Sequence, residues 1–472
     1  MEQSLFETLA RGFPVDLAKP AIIEPQGHPI SYGELLTRSA GIAAALLQSG
    51  LKPGDRMLVQ TGKSVDALLL YVAAIRSGIV YVPLNPGYTV SEVDYFVADA
   101  APALFVDEAH LAKLASAPVT SFQDPQLAPD ALAAILYTSG TTGRSKGAML
   151  SQRNLASNAQ TLIREWRFTA ADRLIHALPI FHVHGLFVAT HCVLGSGASM
   201  LWLPGFDADA MLEALPEASV LMGVPTFYTR LLARPELTPE RVAAMRLFVS
   251  GSAPLSAETH REWEAKTGHR ILERYGMTET GMLSSNPYDG ERRAGSVGPP
   301  LPGVAIRIGT PNSEGVGGIE VSGPNVTSGY WRNLEKTAES FTPDGFFQTG
   351  DLGRFDEDGY LWIVGRAKDL IISGGFNVYP AEVEAAIELI SEVSEVAVVG
   401  APHPDFGEGV IAVIVAGSGA AITEAEVIAA LRDTLAAYKR PKRVLIRDAL
   451  PRNAMGKVEK AVLRKELAGQ FA

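Results

Sequence analysis

The sequence predicts an α/β multidomain protein with a large N-terminal domain of doubly wound mixed sheets, a small β-rich lobe and a small C-terminal α+β domain. The chain has 472 residues, too many for one hydrophobic core. As far as about residue 293, short apolar strands alternate with amphipathic helices, which is the pattern of parallel sheets covered by helices. The pattern then changes twice, near residues 293 and 366, and each change indicates a new structural unit.

The elements of the first domain follow from periodicity and helix caps. Ser31 begins a helix that runs to Gln48, and Glu34, three residues on, completes a capping box. Ser151 caps another helix, in which apolar residues keep a 3.6-residue period as far as Trp166. The other predicted elements are strands at 56–60, 80–83, 131–137, 146–150, 174–177, 199–203, 219–223, 246–250 and 270–273, and helices at 66–77 and about 185–194.

The later part of the chain has a different composition. Beyond residue 293, Gly and Pro break short apolar runs such as "GPPLPGVAIRIG" and "GYLWIVG", which predicts the small β-rich lobe. The last stretch of about 100 residues has its own α/β pattern, a size that suits a separate domain. We therefore place an N-terminal domain at residues 1–366 and a C-terminal domain at 367–472.

The bulk composition restricts the partners and the compartment. The net charge is 41 − 52 = −11, so we expect neither a nucleic-acid nor a membrane partner. Residues 432–466 nevertheless hold eleven Lys/Arg against four Asp/Glu, which favours either local handling of an anion or a solvated helix face. The uncharged stretch 174–206 is broken by Gly and Pro, so we predict that it is buried rather than membrane-spanning. Cys192 is the only cysteine and a signal-peptide pattern is missing, which predicts a cytoplasmic protein.

One stretch, "YTSGTTGRSKGAML" (137–150), carries the first chemical signal. No side chain from Thr138 to Gly143 is larger than threonine, and a lysine follows. Small residues let backbone N–H groups converge on an anion, hydroxyls add donors and the lysine adds a charge. The pattern does not end as a Walker loop does. The alternative to an anion-binding loop is a flexible surface loop.

This stretch resembles the phosphate-binding signature of the adenylate-forming superfamily of acyl-CoA synthetases, luciferases and peptide-synthetase adenylation domains. Ser145 stands where that family usually has proline. The resemblance covers nearly the whole chain and implies ATP and CoA as co-substrates, a β-barrel for the β-rich lobe and a mobile C-terminal domain. It assigns the β- and γ-phosphates of ATP to Thr138, Ser139, Gly140, Thr141, Thr142, Gly143 and Lys146.

Two further segments resemble the nucleotide site of that family. In "LERYGMTET" (272–280), the resemblance assigns Tyr275 to adenine stacking, Thr278 to the α-phosphate as a catalytic group and Glu279 to Mg²⁺. "VSGSAPL" (249–255) resembles the turn that lines the adenine pocket. The ATP-binding residues implied in these two segments are Gly251, Ser252, Ala253, Glu273, Arg274, Tyr275, Gly276, Met277 and Thr278.

Three residues of the C-terminal part complete the implied ATP site. Asp351 in "QTGDLG" would accept hydrogen bonds from both ribose hydroxyls, and Arg366 in "GRAKD" would add a second ribose contact. Lys457 in "PRNAMGKVEK" is the implied catalytic lysine, which reaches the acyl carboxylate and the α-phosphate. An ammonium group there offsets the repulsion between the two reacting anions.

The resemblance also implies a conformational change between two chemical steps. Lys368 matches the hinge about which the C-terminal domain rotates, and Gly374 and Gly375 would line the CoA tunnel. The basic patch at 439–443 is either a CoA phosphate contact or a solvated surface. Acylation of Lys457 would remove its charge and stop adenylation, so a lysine acyltransferase or deacylase is a further partner on this hypothesis.

The acid is indicated by a different set of residues. "LPIFHVHGLF" supplies His182 and His184, and the second is the closer match to the family's acyl-pocket histidine. The alternative is a buried histidine bonded to backbone. The run around "NPYDGERRAGSVG" resembles malonyl-CoA synthetases, and we take Arg230, at the predicted head of a helix, and Arg292 as partners of a second carboxylate. For Arg293, the interpretation is a surface residue that does not contact the substrate.

These features predict a malonate–CoA ligase that forms a malonyl-adenylate and then malonyl-CoA, with methylmalonate as a further acid. One alternative is a CoA ligase for another short-chain or aryl acid. Another, from a different class, is a catalytically inactive nucleotide-binding regulatory protein. A carrier-protein adenylation domain is a third.

Overall fold

A computed structural model describes residues 4–118, 121–138, 145–417, 419–453 and 457–471. Its helices are α1 Leu5–Ala10, α2 Tyr32–Gln48, α3 Val65–Ser77, α4 Val90–Ala100, α5 Glu108–Ala115, α6 Gln152–Glu165, α7 Thr190–Ser196, α8 Ala208–Ala214, α9 Pro225–Leu232, α10 Ala257–Thr267, α11 Leu334–Glu339, α12 Pro380–Ile387, α13 Glu424–Ala430 and α14 Lys460–Leu467. Its strands are β1 Pro20–Ile23, β2 Ile30–Ser31, β3 Arg56–Val59, β4 Val80–Pro83, β5 Leu104–Val106, β6 Leu132–Thr138, β7 Lys146–Ser151, β8 Arg173–His176, β9 Ser199–Trp202, β10 Val220–Gly223, β11 Leu247–Ser250, β12 Leu272–Met277, β13 Gly281–Ser285, β14 Ala305–Gly309, β15 Gly317–Ser322, β16 Phe347–Phe355, β17 Leu361–Arg366, β18 Ile371–Ser373, β19 Phe376–Val378, β20 Val393–His403, β21 Gly407–Ala416 and β22 Arg443–Ile446. A π-helical segment covers His184–Ala189, and short 3₁₀ turns cover Leu215–Glu217 and Ala367–Asp369.

Two mixed sheets form the frame of the first compact unit, which comprises Met1–Ile306 and Val321–Phe347. The larger has eight strands in the order β13-β12-β11-β10-β8-β9-β1-β2, parallel from β12 to β1 and antiparallel at each edge. The smaller has the order β5-β3-β4-β6-β7 and is parallel except for β7. Strands β4, β9, β10 and β11 are buried along their whole length, as expected for parallel strands covered on both faces. The predicted doubly wound mixed sheets are confirmed.

Local sequence explains where the helices begin. Ser31 is the N-cap of α2, and it forms the predicted capping box with Glu34. Ser151 is the N-cap of α6, as predicted. None of the described helices is both long enough and apolar enough to cross a membrane.

The second compact unit comprises Arg307–Glu320 and Gln348–Ala472. Its C-terminal sheet has the order β19-β18-β21-β20, with β22 parallel to β21. Strands β14, β15, β16 and β17 form the β-rich lobe as a four-stranded sheet. Among the described residues this sheet is open rather than the expected closed barrel, because four short strands leave β14 and β17 as unpaired edges. The predicted domain boundary between residues 366 and 367 and the predicted hinge at Lys368 stay predictions.

Two predicted elements differ from the structure. The helix expected at about 185–194 is divided into the π-helical segment and α7. The strand expected at 270–273 runs instead from Leu272 to Met277, because β13 pairs with it and extends the ladder. Both differences lie in segments assigned to the site.

Candidate active site

Neighbouring strand ends bring the nucleotide and acyl segments of the first unit together. Strands β10, β11 and β12 are adjacent in the large sheet, and Ser250 of β11 pairs with Glu273 of β12. The turn that begins at Gly251 therefore leaves the sheet beside Arg274. The carboxyl ends of parallel strands are where open α/β sheets bind ligands.

Gly251 and Arg274 are in close contact at this edge. A Cβ on Gly251 would lie 2.3 Å from Cζ, 2.4 Å from Nη1 and 2.6 Å from Nε of Arg274, so a larger residue would displace the guanidinium. The next residue, Ser252, has a φ of +70°. This left-handed conformation is costly for a residue other than glycine, and such strain clusters at ligand sites.

Arg274 is a buried cation with unused hydrogen-bond donors. Arg274 is 4% exposed, and its Nε and Nη2 have no hydrogen-bond partner among the residues that the structure describes. Burial lowers the pKa of Arg274 to about 9, so the group stays protonated at pH 7. A buried charge without a counter-ion costs several kcal/mol, roughly 3–5 when a partner is missing. The position therefore suits an anionic ligand.

His184 lies beside the same group as the first residue of the π-helical segment. It is 2% exposed, and its Nδ1 lies 3.2 Å from the hydroxyl of Ser252. Its Nε2 is buried and has no hydrogen-bond partner in the described part of the chain. Burial, reinforced by the charge of Arg274, holds the pKa of His184 well below its usual range, so the imidazole is neutral. The backbone N–H of His184 donates to Nδ1 of His182 at 3.3 Å.

The predicted metal ligand and two phosphate contacts lie in one neighbourhood. Glu279 is buried, and the hydroxyl of Tyr330 donates to its Oε1 at 3.0 Å. The ammonium of Lys146 lies 5.8 Å from the centroid of the Tyr330 ring. Burial lowers the pKa of Lys146, and the charge of Glu279 opposes that shift. Thr278, directly before this glutamate, is half-buried and lines a small internal cavity with Phe187.

The predicted phosphate loop is described only at its base. Thr138 ends β6 and pairs with Lys146, the first residue of β7, so the antiparallel strands bring the two ends of the loop together. The residues Ser139, Gly140, Thr141, Thr142 and Gly143 lie outside the described residues.

The remaining residues of the predicted adenine segment occupy β12 and the turn after β11. Tyr275 and Met277 are half-buried, as is Ala253. Gly276 has no room for a side chain, because a Cβ there would lie 2.1 Å from the carbonyl oxygen of Gly281. Their roles toward ATP stay predictions.

Glu273 has its carboxylate engaged within the protein. Its Oε1 accepts a hydrogen bond from the Gly295 N–H at 3.1 Å and lies 3.5 Å from Nδ1 of His260. Burial raises the pKa of this carboxyl, and the two partners oppose the shift. A contact of Glu273 with ATP stays a prediction.

The predicted ribose residues are paired with each other in the second unit. Asp351 of β16 lies opposite Arg366 of β17, and Oδ1 and Nε are 3.0 Å apart. The aspartate side chain is 6% exposed, whereas the arginine side chain is 48% exposed. A half-exposed ion pair of this kind contributes about 0–1 kcal/mol. Its position is consistent with the ribose assignment, which the geometry does not test.

The predicted hinge and tunnel residues follow in the same unit. Lys368 lies in the 3₁₀ turn after β17, and burial lowers its pKa. Gly374 and Gly375 have φ of +60° and +81° in the turn between β18 and β19, where glycine is favoured. A Cβ on Gly375 would meet nothing within 4 Å, so its backbone borders open space.

Lys457 is exposed on a short irregular connection before α14. Its backbone N–H donates to Oδ1 of Asn453 at 3.0 Å, and its carbonyl accepts from the N–H of the same residue at 2.9 Å. The backbone of Lys457 is thus held while its side chain lies at the surface.

The two arginines predicted to bind the substrate differ from Arg274: one is exposed, and the other is bonded to backbone carbonyls. Arg230 is exposed in the last turn of α9, not at its head as predicted, because the helix begins at Pro225. Its guanidinium lies 5.4 Å from the centroid of the Phe206 ring. Arg292 donates to the backbone carbonyls of Arg270 at 2.7 Å, Tyr288 at 2.9 Å and Pro287 at 3.2 Å. These bonds hold a loop, and they leave Arg292 fewer donors for a substrate.

Comparison with known proteins gives the family. Residues 6–331 match the model of the AMP-binding enzyme family, and residues 382–457 match that of the AMP-binding enzyme C-terminal domain. This chain belongs to the AMP-binding enzymes. A malonate–CoA ligase of Arabidopsis thaliana is 35% identical over 95% of this chain and 86% of its own. An indoleacetate–CoA ligase of Aromatoleum aromaticum is 35% identical over 98% of both chains. The ATP-bound crystal structure of MatB from Rhodopseudomonas palustris is 52% identical over 100% of both chains, with a TM-score of 0.96. The predicted resemblance to the adenylate-forming superfamily is confirmed.

The AMP-binding enzymes act on ATP, and Mg²⁺ typically accompanies it. Among the described residues, no group of three His, Cys, Asp or Glu side chains is placed to hold a metal by itself. Mg²⁺ usually binds to one or two carboxylates together with substrate phosphates and water, so the single carboxylate of Glu279 fits this ion.

Sequence reasoning missed two parts of this AMP-binding enzyme's site. The ATP assignment of Arg274 stays a prediction, but the motif alone does not indicate that its guanidinium is buried against Gly251. Its sequence signal is the charged pair Glu273–Arg274 inside the otherwise uncharged stretch "ILERYG". Lys63 and His176 were not assigned at all, and only the structure brings them together.

Proposed function

We propose that this AMP-binding enzyme is a malonate–CoA ligase, which converts ATP, malonate and CoA into malonyl-CoA, AMP and diphosphate through a malonyl-adenylate. The observation that carries the proposal is the buried guanidinium of Arg274, protonated and with two nitrogens lacking partners among the described residues. The malonate–CoA ligase relative supports the same substrate.

The second carboxylate of malonate distinguishes it from a fatty or aryl acid. One carboxylate is consumed in adenylation, so a monocarboxylic acid would bring only an apolar group toward Arg274 and leave that charge uncompensated. A dicarboxylate would bring a counter-ion, and arginine binds carboxylates through two parallel N–H···O bonds. We infer that Arg274 takes the role first given to Arg292, whose donors are held by three backbone carbonyls. A contribution from Arg230 stays a prediction.

The chemistry has two balanced steps. An oxygen of the reacting carboxylate attacks the α-phosphorus of ATP, and diphosphate leaves. The CoA thiolate then attacks the acyl carbon, a C–S bond forms, and AMP leaves with the C–O bond electrons. In the first step Lys457 would offset the charge of the two reacting anions, and Mg²⁺ bound at Glu279 would neutralise phosphate charge. The neutral imidazole of His184 would border the acyl group without attracting a second anion.

Pyrophosphate exchange with malonate, methylmalonate, acetate, benzoate and indoleacetate tests the proposal. We expect malonate to give the highest kcat/KM, with methylmalonate next. Arg274→Met should reduce kcat/KM for malonate by roughly 100-fold, since a charge-assisted bidentate contact is worth about 3 kcal/mol. The same change should alter exchange with acetate by less than about three-fold. A preference for benzoate or indoleacetate would move the assignment to an aryl-acid ligase, and no exchange with any acid would favour the inactive regulatory protein.

Two further proposals rest on composition and exposure rather than on contacts in the site. The first is a cytoplasmic location, based on one cysteine and the composition. The second is control by acylation of Lys457, which is exposed. Acylated enzyme should lose pyrophosphate exchange but still form the thioester from supplied malonyl-adenylate, and loss of both steps would contradict this idea.

A further inference from the structure

Lys63 is a lysine with its ammonium group enclosed in the first unit, remote in sequence from every predicted site residue. It lies between β3 and α3, and its Nζ donates to the carbonyl oxygens of His176 and Leu203, each at 2.7 Å. The same Nζ lies 3.0 Å from Nδ1 of His176 and 4.3 Å from the centroid of the Trp202 ring. Burial lowers the pKa of Lys63 well below its usual value, and the two carbonyl bonds and the ring contact offset part of the cost of enclosing the amino group.

The contacts with Gly185 and Lys63 fix the tautomer of His176. The Gly185 carbonyl can only accept, so Nε2 must carry the proton, and Nδ1 of the neutral ring accepts from Lys63. That Nε2–H points to the carbonyl oxygen of Gly185 at 3.0 Å. Burial, together with the charge of Lys63, lowers the pKa of His176 well below its usual range, which keeps the ring neutral and the tautomer defined.

The carbonyl of Gly185 is the point at which the helix widens. It accepts the backbone N–H of Thr190, five residues on, and also the hydroxyl of Thr190 at 3.0 Å. With His176, these are three donors on one carbonyl. In an α-helix this carbonyl would instead accept the N–H of residue 189. The side-chain donors therefore favour the π-helical turn, a geometry that is rare and is found mostly at functional sites.

The π-helical turn determines where His184 points. Replacement of the five-residue bond by a four-residue bond would shift the register by one residue, which is about 100° of rotation around the helix. The imidazole of His184 would then leave Ser252, 3.2 Å away, and the guanidinium of Arg274 beyond it. Space is restricted on the other side, because a Cβ on Gly185 would lie 2.2 Å from the carbonyl oxygen of Pro179.

We infer that Lys63 and His176 are positioning residues for the acid-binding site, which hold His184 against Ser252 through the Gly185 carbonyl. The inference rests on the proposed function at one point, which is that His184 borders the acid. It predicts that Lys63 affects the recognition of the acid although it touches no substrate.

The test compares two lysines that both donate to backbone carbonyls in the same unit. Lys266 donates to the carbonyl oxygens of Leu232 at 2.7 Å and Arg234 at 2.9 Å, at the C-terminal end of α9, and serves as the matched control. Lys63→Met should raise the KM for malonate in pyrophosphate exchange by about ten-fold, because a partial loosening of His184 should cost less than the roughly 100-fold of a full 1 Å misplacement. It should leave the KM for ATP within about two-fold, and Lys266→Met should change neither.

A double-mutant cycle shows whether the effect passes through His184. On a His184→Ala background, Lys63→Met should add less than two-fold, because there is no imidazole left to position. Thr190→Val, a milder change that removes one donor from the Gly185 carbonyl, should raise the KM for malonate by a smaller factor, which keeps the test informative if Lys63→Met does not fold. An unchanged KM for malonate in both variants, or a full effect on the His184→Ala background, would overturn the inference. If wild-type enzyme prefers another acid, the proposed function fails, and the same cycle with that acid tests the positioning role separately.

Discussion

Replacement of Gly251 by alanine is the most direct structural test of the acid site. The new Cβ would lie 2.3 Å from Cζ of Arg274, which is about 1 Å short of the 3.4 Å at which ordinary contacts begin. Gly251 does not have a positive φ, so alanine is compatible with its backbone, and the strain falls on the guanidinium. A displacement of about 1 Å at a positioned group can reduce activity by roughly 100-fold, or about 2.7 kcal/mol. We therefore expect kcat/KM for malonate to fall by about that factor.

The assay is malonate-dependent pyrophosphate exchange, with the melting temperature measured alongside. Gly318→Ala is the control, because a Cβ at that position meets nothing within 4 Å. If the alanine acts through the guanidinium, it should add little on an Arg274→Met background, because Cζ and Nη1 are absent there and the uncharged thioether can move aside. A loss below three-fold in otherwise wild-type enzyme would refute the reasoning. A full loss on the Arg274→Met background would refute it as well.

Four further predictions concern charge. Glu279→Gln should raise the Mg²⁺ concentration for half-maximal exchange by more than about ten-fold, and Tyr330→Phe, which removes only the hydroxyl bonded to that carboxylate, should raise it by a smaller factor. A larger shift in Tyr330→Phe than in Glu279→Gln would argue against Glu279 as the metal ligand. Lys457→Ala should reduce exchange by roughly 1,000-fold and retain thioester formation from supplied malonyl-adenylate, and loss of both would contradict its assignment to the first step. Burial lowers the pKa of His191 to about 3, so only the unfolded chain binds this proton between about pH 3 and 6.5, and the free energy of unfolding should fall as the pH falls through that range. The loss at pH 5 relative to pH 7 is about 2 kcal/mol. In urea titrations at several pH values, His191→Gln should reduce the pH dependence of the free energy of unfolding by the equivalent of one bound proton. Arg274→Met should raise the melting temperature without malonate and abolish the rise that malonate causes in wild-type enzyme, and an unchanged response to malonate would separate the arginine from the ligand.

The fold was largely predictable because its determinants are local. The capping box at Ser31 and Glu34 uses residues three apart, and the apolar run of β4 at Val80–Pro83 is visible without its neighbours. The closed barrel was not predictable in the same way. Closure depends on whether β14 meets β17, and strand pairing across the chain leaves no periodic signal in either segment.

The residues of the site show the same difference between local motifs, which can be predicted, and contacts across the chain, which cannot. The predicted phosphate loop, adenine segment and catalytic lysine are each recognised from a run of neighbouring residues, so the sequence alone is enough to predict them. Arg230 is predicted from its place in a helix and Arg292 from a family resemblance, and neither signal reports whether a guanidinium is exposed or already bonded to backbone. Lys63 and His176 are 113 residues apart, and their contact leaves no trace in either local sequence.

Two buried arginines in the first unit differ in the partners that the protein gives them. Arg76 is 6% exposed, and its Nε lies 2.8 Å from a carboxylate oxygen of Asp124, while its Nη1 donates to the carbonyl of Leu36 at 2.7 Å and to the hydroxyl of Ser39 at 2.9 Å. The chain thus supplies a counter-ion where a buried guanidinium has a structural purpose. Arg274 is 4% exposed and has no such carboxylate among the described residues, and the imidazole nearest to it is neutral. The free chain accepts this unfavourable burial, and a carboxylate that entered from solution would relieve it. The selectivity for a dicarboxylic acid would then come from an ion pair of which the protein provides only one half.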